Sequence, residues 1–386
     1  MLKEALALSK AGHSITIFTA IYSHDLYQED LSLLAGTGIC YEIYSDLRVQ
    51  NFAAVKARLS RKFWQFTKCI GVESKYSLGY NASRLKKRIL SRPAHLYIMH
   101  QELATVIGSR MVKKYKVVFD IEDWYSEDLL PIARKNRPIK LLKRSEKTAI
   151  EKGAACYTTS YAMAKGLQAL YKTTNSPSVI YNSFVANEQV DFSPQHDFLH
   201  LYWISQTIGE GRGLEFFIYC MGQSTTKCKL SLRGNVLEAY KISLNALLSP
   251  KDSIDFLPML KNEEIQTDMA RYDVGLALEP DSPLNKDLTI SNKLFHYMAA
   301  GLPVIASDTK GQSEIAKQCP DLVMIYQQSQ AGELTGILNR LGEQLPNGQL
   351  NGLKTRVLDF YTANFAWPGQ AGKLTALIHS IFESES

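Results

Sequence analysis

A chain of 386 residues, 45 % hydrophobic and 21 % charged, has the composition of a soluble globular protein and the length for two domains with substantial cores. No apolar run approaches the roughly 18 residues that span a bilayer, the N-terminal MLKEALALSKAGH has no secretory core, and six scattered cysteines without a CxxC argue against a metal or disulfide framework and for a reducing cytosol. The formal net charge of +6 is uneven: residues 1–195 carry 28 Lys+Arg against 17 Asp+Glu, and the remainder 16 against 21.

In chain order, residues 2–12 read as an amphipathic helix and 14–20 (SITIFTA) as a strand, with a further strand at 39–44. Residues 52–92 look helical and basic; the aromatics Phe63, Trp64 and Phe66 suit either core packing or an acceptor- or membrane-facing surface. A strand at 95–100 ends in His100, at the carboxyl edge where open α/β sheets place ligands. The strand 116–120 runs into IEDWYSEDLLP, so Asp120, Glu122, Asp123, Glu127 and Asp128 crowd the same edge. The run RKNRPIKLLKRSEK (134–147) is a solvated helix face or a surface for anionic lipid, at about 1 kcal/mol per basic residue. No RRM, KH or helix-turn-helix signature supports nucleic acid.

A helix at 138–152, a strand at 155–160, a helix at 163–171 and the segment 178–184 complete the first half. Residues 185–197, polar and carrying Pro194, read as a linker. The second half opens on a strand at 198–204, followed by SQTIGEGRGLEFF, a glycine turn that is neither G-x-G-x-x-G nor a Walker A. Strands at 229–233, 253–258 and 273–278 follow. Thr289–Gly311 (TISNKLFHYMAAGLPVIASDTKG) predicts a helix capped by Ser291 or Asn292, a left-handed stop at Gly301, Pro303 just beyond, and a buried strand at 304–306. A helix start of this kind suits a diphosphate. A last helix covers 371–382.

The stretch NKLFHYMAAGLPV resembles the nucleotide-sugar site of GT-B glycosyltransferases, most closely the large retaining family 4. Asn292, Lys293, Tyr297, Ala299, Ala300, Gly301, Pro303 and Val304 fit that pattern, while His296 stands at its acidic position. Arg212-Gly213 takes the place of the family's Lys-Gly pair, Ser205-Gln206 that of its Gly-Arg pair, Asn182 matches an asparagine at the end of the first domain, and Gly311 to Ile315 resembles G-G-x-x-E-I. Asp120 and Asp123 fit the acceptor-side loop, with Glu122 at its usual histidine. Of two family glutamates eight positions apart, the sequence has Leu288 and His296.

The resemblance implies an α/β fold of two Rossmann-like domains facing an interdomain cleft: an acceptor domain over 1–190, a nucleotide-sugar domain over 198–365, and a C-terminal helix over 366–386 returning to the first. It implies metal-independent, retaining sugar transfer from a nucleotide-diphosphate sugar, with no cofactor, to a glycan or lipid-linked acceptor in polysaccharide or glycolipid synthesis, in the cytoplasm or peripherally at the inner face of the membrane. Glu122, Asp123 and His100 are the catalytic candidates. Arg212, Gln206, Gly213, Ser291, Asn292, Lys293, His296, Gly301, Pro303 and Glu314 are the donor-binding candidates. The alternatives are a GT-B protein that binds without catalysing and, third, a GT-B sugar epimerase. The family opens with a strand and a Gly-rich loop ahead of the first helix. Met1 sits directly in that helix, so the expectation is that the chain lacks them and that 14–20 lies beside a gap or beside a strand that is not its usual partner.

Overall fold

Strand and helix alternate through nearly the whole chain, and the computed structural model describes residues 1–49, 51–187, 192, 196–346 and 348–383. Two units divide it: residues 1–159, 164–180 and 371–386 form the first, and 160–163 with 181–370 the second. The expected linker at 185–197 falls within the second unit's range, and its residues 188–191 and 193–195, Pro194 included, lie outside the described residues.

The first unit runs α1 (Leu2–Lys10), β1 (Thr16–Ile21), α2 (His24–Leu34), β2 (Cys40–Asp46), α3 (Phe52–Phe66), α4 (Ala82–Leu90), β3 (Tyr97–His100), α5 (Gln101–Gly108), β4 (Val117–Ile121), α6 (Pro131–Arg134), α7 (Ile139–Lys152), β5 (Ala155–Thr158), α8 (Tyr161–Tyr171) and β6 (Ser178–Val179). Its strands are parallel and fall into two groups, β1 with β2, and β3-β4-β5-β6. Among the described residues β1 pairs with β2 alone. Every residue of β4 is buried, which explains its unbroken apolar run apart from Asp120.

The second unit comprises β7 (Leu199–Ile208), α9 (Leu214–Gln223), β8 (Cys228–Val236), α10 (Glu238–Asn245), β9 (Ser253–Leu257), α11 (Asn262–Met269), β10 (Val274–Ala277), α12 (Leu284–Leu288), α13 (Asn292–Ala299), β11 (Val304–Ser307), α14 (Lys310–Ala316), β12 (Val323–Tyr326), α15 (Ala331–Gly342) and α16 (Gln349–Asn364). Its six parallel strands stand in the order β12-β11-β10-β7-β8-β9. That is the doubly wound order, with its reversal between β7 and β10. The last helix, α17 (Trp367–Glu383), belongs from residue 371 to the first unit. There Leu374, Ile378 and Ile381 pack with Leu8, Val118, Tyr157 and Ile180.

Three expectations change. β7 continues past 204, because pairing with β8 resumes beyond an irregularity between Ile204 and Thr207; Ser205 and Gln206 therefore lie in the strand and the glycine turn begins later. Ser291 occupies the N-cap position of α13 without capping it, since its hydroxyl donates to Glu279 Oε1 at 2.8 Å. The basic run at 134–147 is an exposed face only in part: Lys140, Arg144 and Lys147 are exposed at the spacing of one helix side. Arg134 and Lys143 pair with Glu127, Arg137 pairs with Glu102, and α7 turns Leu142, Ser145 and Glu146 inward.

Gly301 stops α13 with φ +76°, a conformation that favours glycine. Gly311 serves close approach instead: a Cβ there would lie 2.2 Å from the Thr289 carbonyl oxygen. Gly311→Ala is expected to cost the second unit about 1–3 kcal/mol, the scale of overpacking. Gly332→Ala, where a Cβ meets open space on α15, is the control and should be neutral or slightly stabilising. Urea denaturation of the two variants checks this; equal midpoints would show that the 289–311 contact yields freely. All six cysteines are free, four of them buried. No helix among the described residues is long and apolar enough to cross a membrane.

Candidate active site

In the second unit, three chain segments meet at the carboxyl edge of the sheet, at the reversal of strand order. The first is the turn after β7, where Gly211 and Gly213 take positive φ and bring Arg212 to the start of α9. The second is the end of β10. A Cβ on Gly213 would lie 3.6 Å from the Leu278 Cβ, so the turn rests against this end. The third is the start of α13, tied to the same place by Glu279. The Glu279 carboxylate accepts from Ser291 Oγ at 2.8 Å and pairs with Lys293 Nζ. Its backbone is clamped to β11, with its N–H donating to Ser307 Oγ at 2.8 Å and its carbonyl accepting from that hydroxyl at 2.6 Å. Burial alone would raise the Glu279 pKa. The charges of Lys293 and Lys286 and the hydrogen bonds of Lys293 and Ser291 outweigh it and hold the carboxyl below its usual value. Glu279 is the residue the sequence reading passed over; its signal was an acidic side chain two residues beyond the end of a buried strand.

The donor candidates therefore separate by environment. Arg212 is half-buried and has no ion pair or hydrogen bond among the described residues, which leaves its guanidinium for a ligand. Lys293 is already neutralised by Glu279. Asn292 Oδ1 accepts from Asn182 Nδ2 at 3.2 Å. His296 stacks on Phe184, ring centroids 3.7 Å apart and planes 19° apart, so its ring is held by a neighbour. Gln206 is exposed on β7. Gly301 and Pro303 shape the turn, and the Pro303 carbonyl accepts from the Gly275 N–H at 2.9 Å. Glu314 accepts from the N–H groups of Tyr161 and Ala162, at 3.1 and 2.8 Å, and so satisfies the first turn of α8. Leu288, at one family-glutamate position, is buried.

In the first unit the carboxyl ends of β3 and β4 carry a cluster of titratable groups. His100 Nδ1 lies 2.8 Å from Asp120 Oδ2, and His100 Nε2 lies 3.6 Å from Glu4 Oε2. Glu4, on α1, also accepts from the Tyr157 hydroxyl at 2.6 Å. Burial disfavours the charged imidazole, but the hydrogen bond and charge of Asp120, with Glu4, outweigh it and raise the His100 pKa. Gln101, next in the chain, has φ +66°, a conformation uncommon outside glycine that strained functional loops retain. Glu122 follows Asp120 on the same edge. Burial first, then the Asp120 charge, pushes its pKa up to about 7. Asp123 is half-buried beside it. Glu127, by contrast, is consumed by Arg134 and Lys143. Glu4, His100 and Asp120 are the group among the described residues that could hold a metal ion, their ligand atoms lying within 4.8 Å of one another. Sequence reading missed Glu4, which is a helix residue 96 positions before His100.

No protein-family model matches the chain, and no curated protein matches it. Solved structures do. HepE from Anabaena, in complex with UDP and glucose, aligns with a TM-score of 0.63 at 15 % identity, covering 99 % of this chain and 94 % of that one. Sucrose-phosphate synthase from Thermosynechococcus elongatus aligns with a TM-score of 0.66 at 13 % identity, covering 96 % and 100 %. TarM from S. aureus aligns with a TM-score of 0.53 at 13 % identity, covering 79 % and 59 %. The chain has the two-domain GT-B fold of the glycosyltransferases.

Proposed function

We propose that this chain transfers a sugar, with retention of configuration, from a nucleotide-diphosphate sugar to a hydroxyl of a glycan or lipid-linked acceptor in polysaccharide or glycolipid synthesis. The observation that carries the reading is Arg212, an uncommitted cation on a glycine turn at the strand-order reversal of the second unit, beside the start of α13. Ligands of doubly wound sheets bind at that reversal. A departing diphosphate there would meet a guanidinium and the backbone N–H groups of helix starts, charge stabilisation that requires no metal or cofactor. The acid-base groups of the first unit, Glu122 foremost, supply the acceptor chemistry. HepE, solved with UDP-glucose, makes UDP the first nucleotide to try. The six free cysteines suit a reducing cytoplasmic setting.

The test is calorimetry and thermal shift with UDP, GDP and other nucleoside diphosphates, then release of sugar from the matching donor. Binding with release or transfer supports the reading; a chain whose melting temperature no nucleotide moves is not a transferase of this kind. One observation favours a second reading, a GT-B protein that binds nucleotide without turning it over. Lys293 is neutralised by Glu279 and Gln206 is uncharged, so the donor side offers fewer free cations than the resemblance implies. Nucleotide binding without sugar release, with any acceptor or water, would select it.

A further inference from the structure

We propose that α3 seats the first unit on an anionic lipid surface by its exposed apolar stripe, independently of sugar transfer. Phe52, Val55, Leu59, Phe63, Phe66 and, in the turn that follows, Ile70 recur at steps of three and four, the spacing of one helix face. That face is not turned to the core: the six side chains are between 44 and 84 % exposed. The helix packs on the protein through its opposite side, where Ala54 and Ala57 are buried and Arg58 and Arg61 fold back, one onto the Leu47 carbonyl and the other over the Tyr80 ring.

At about 100° per residue the five stripe positions inside α3 fall within an arc of roughly 80°. Lys56 and Lys62, both exposed, stand about 20° beyond its two edges. Between Phe52 and Ile70 there are five Lys or Arg and no Asp or Glu. Lys68, at the end of the stripe, donates to the Arg134 carbonyl at 3.2 Å, which sets α6 and its 83 % exposed Ile132 alongside. Large apolar side chains rimmed by lysines on a single convex helix match the interface of an anionic bilayer, with the apolar face entering the headgroup boundary and the lysines meeting lipid charge. An acidic protein partner would meet the same lysines, but a convex stripe of six bulky side chains offers it no groove. α7 also exposes Lys140, Arg144 and Lys147, but it carries no exposed large apolar side chain beside them, so α3 is the helix that joins charge to apolar area.

Flotation with vesicles of phosphatidylcholine, alone or mixed with phosphatidylglycerol, tests this on the full chain. The protein should float with the mixed vesicles at low salt and less so at high salt. Leu59→Glu with Phe63→Glu, shown by circular dichroism and melting to be folded, should stay behind. Lys56→Glu with Lys62→Glu should lower partitioning by roughly tenfold to a hundredfold. Both double variants should keep wild-type nucleotide affinity, so this proposal can fail without touching the transferase reading. Three results overturn it: no flotation with anionic vesicles at low salt, equal flotation of the glutamate variant, or a dimer in light scattering that the glutamate variant abolishes while no vesicle is bound.

Discussion

Replacing Glu122 by glutamine is expected to lower sugar transfer by roughly 10²–10⁴-fold, the usual contribution of a positioned general base, while nucleotide affinity stays at the wild-type value. The expectation rests on burial and charge. Glu122 lies one residue beyond β4, beside Asp120, and its pKa is pushed up to about 7. A carboxyl titrating there is half ionised at neutral pH and basic enough to take a hydroxyl proton. Two pH dependences of opposite sign follow. As a base the group must be ionised, so turnover should rise with pH below about 7 and level off above it. For stability the raised pKa acts the other way. The unfolded chain ionises near a normal glutamate value of about 4.3, so the fold is fully stabilised below that pH relative to its state above 7. Stability is lost as pH rises between the two values. Glu122→Gln should remove both limbs, and above pH 7 the variant should be the more stable protein. Transfer rates across pH, with urea midpoints across the same range, measure this. A variant with wild-type turnover excludes the role, and a stability profile parallel to wild type excludes the raised pKa.

Replacing Arg212 by alanine should weaken binding of the nucleoside diphosphate by about 1.5–3 kcal/mol, roughly 10- to 150-fold in Kd. Arg212 is half-buried as a residue, and no carboxylate among the described residues pairs with it. Arg212→Lys should retain most of the affinity, since the charge remains and only the planar fork is lost. Stability should barely change in either variant, because no internal bond of the described structure is removed. Calorimetry with the nucleotide found to bind decides the matter: an unchanged Kd for Arg212→Ala removes this residue from the site. Glu279→Gln is an informative companion, because it loosens the hold on Lys293. Affinity that rises in that variant would show Lys293 to be a masked donor cation.

The alternation of strands and helices was legible in the chain because each signal is local. Gly301 at the end of α13 answers a backbone rule about positive φ, Pro303 follows it, and the buried strand at 304–306 appears as β11 (Val304–Ser307). Arg212 could be picked out because glycines two apart, after a strand, bend the chain at a sheet edge whatever surrounds it. What tertiary structure alone decided is pairing across distance. Glu279 meets Lys293 and Ser291 across a loop and a short helix, Glu314 meets the start of α8 some 150 residues earlier, and Glu4 reaches His100 from the first helix. Each pairing depends on which strands lie side by side, and strand order is set by packing of whole layers rather than by any local pattern. The strongest case is α3. The sequence leaves its aromatics Phe63, Trp64 and Phe66 open between core packing, the default for a helix's apolar residues, and an exposed surface. The structure buries Ala54 and Ala57, half-buries Trp64 against Tyr76, and turns Phe52, Val55, Leu59, Phe63 and Phe66 outward. A sequence states that a stripe exists; only the packing around it states which way it faces.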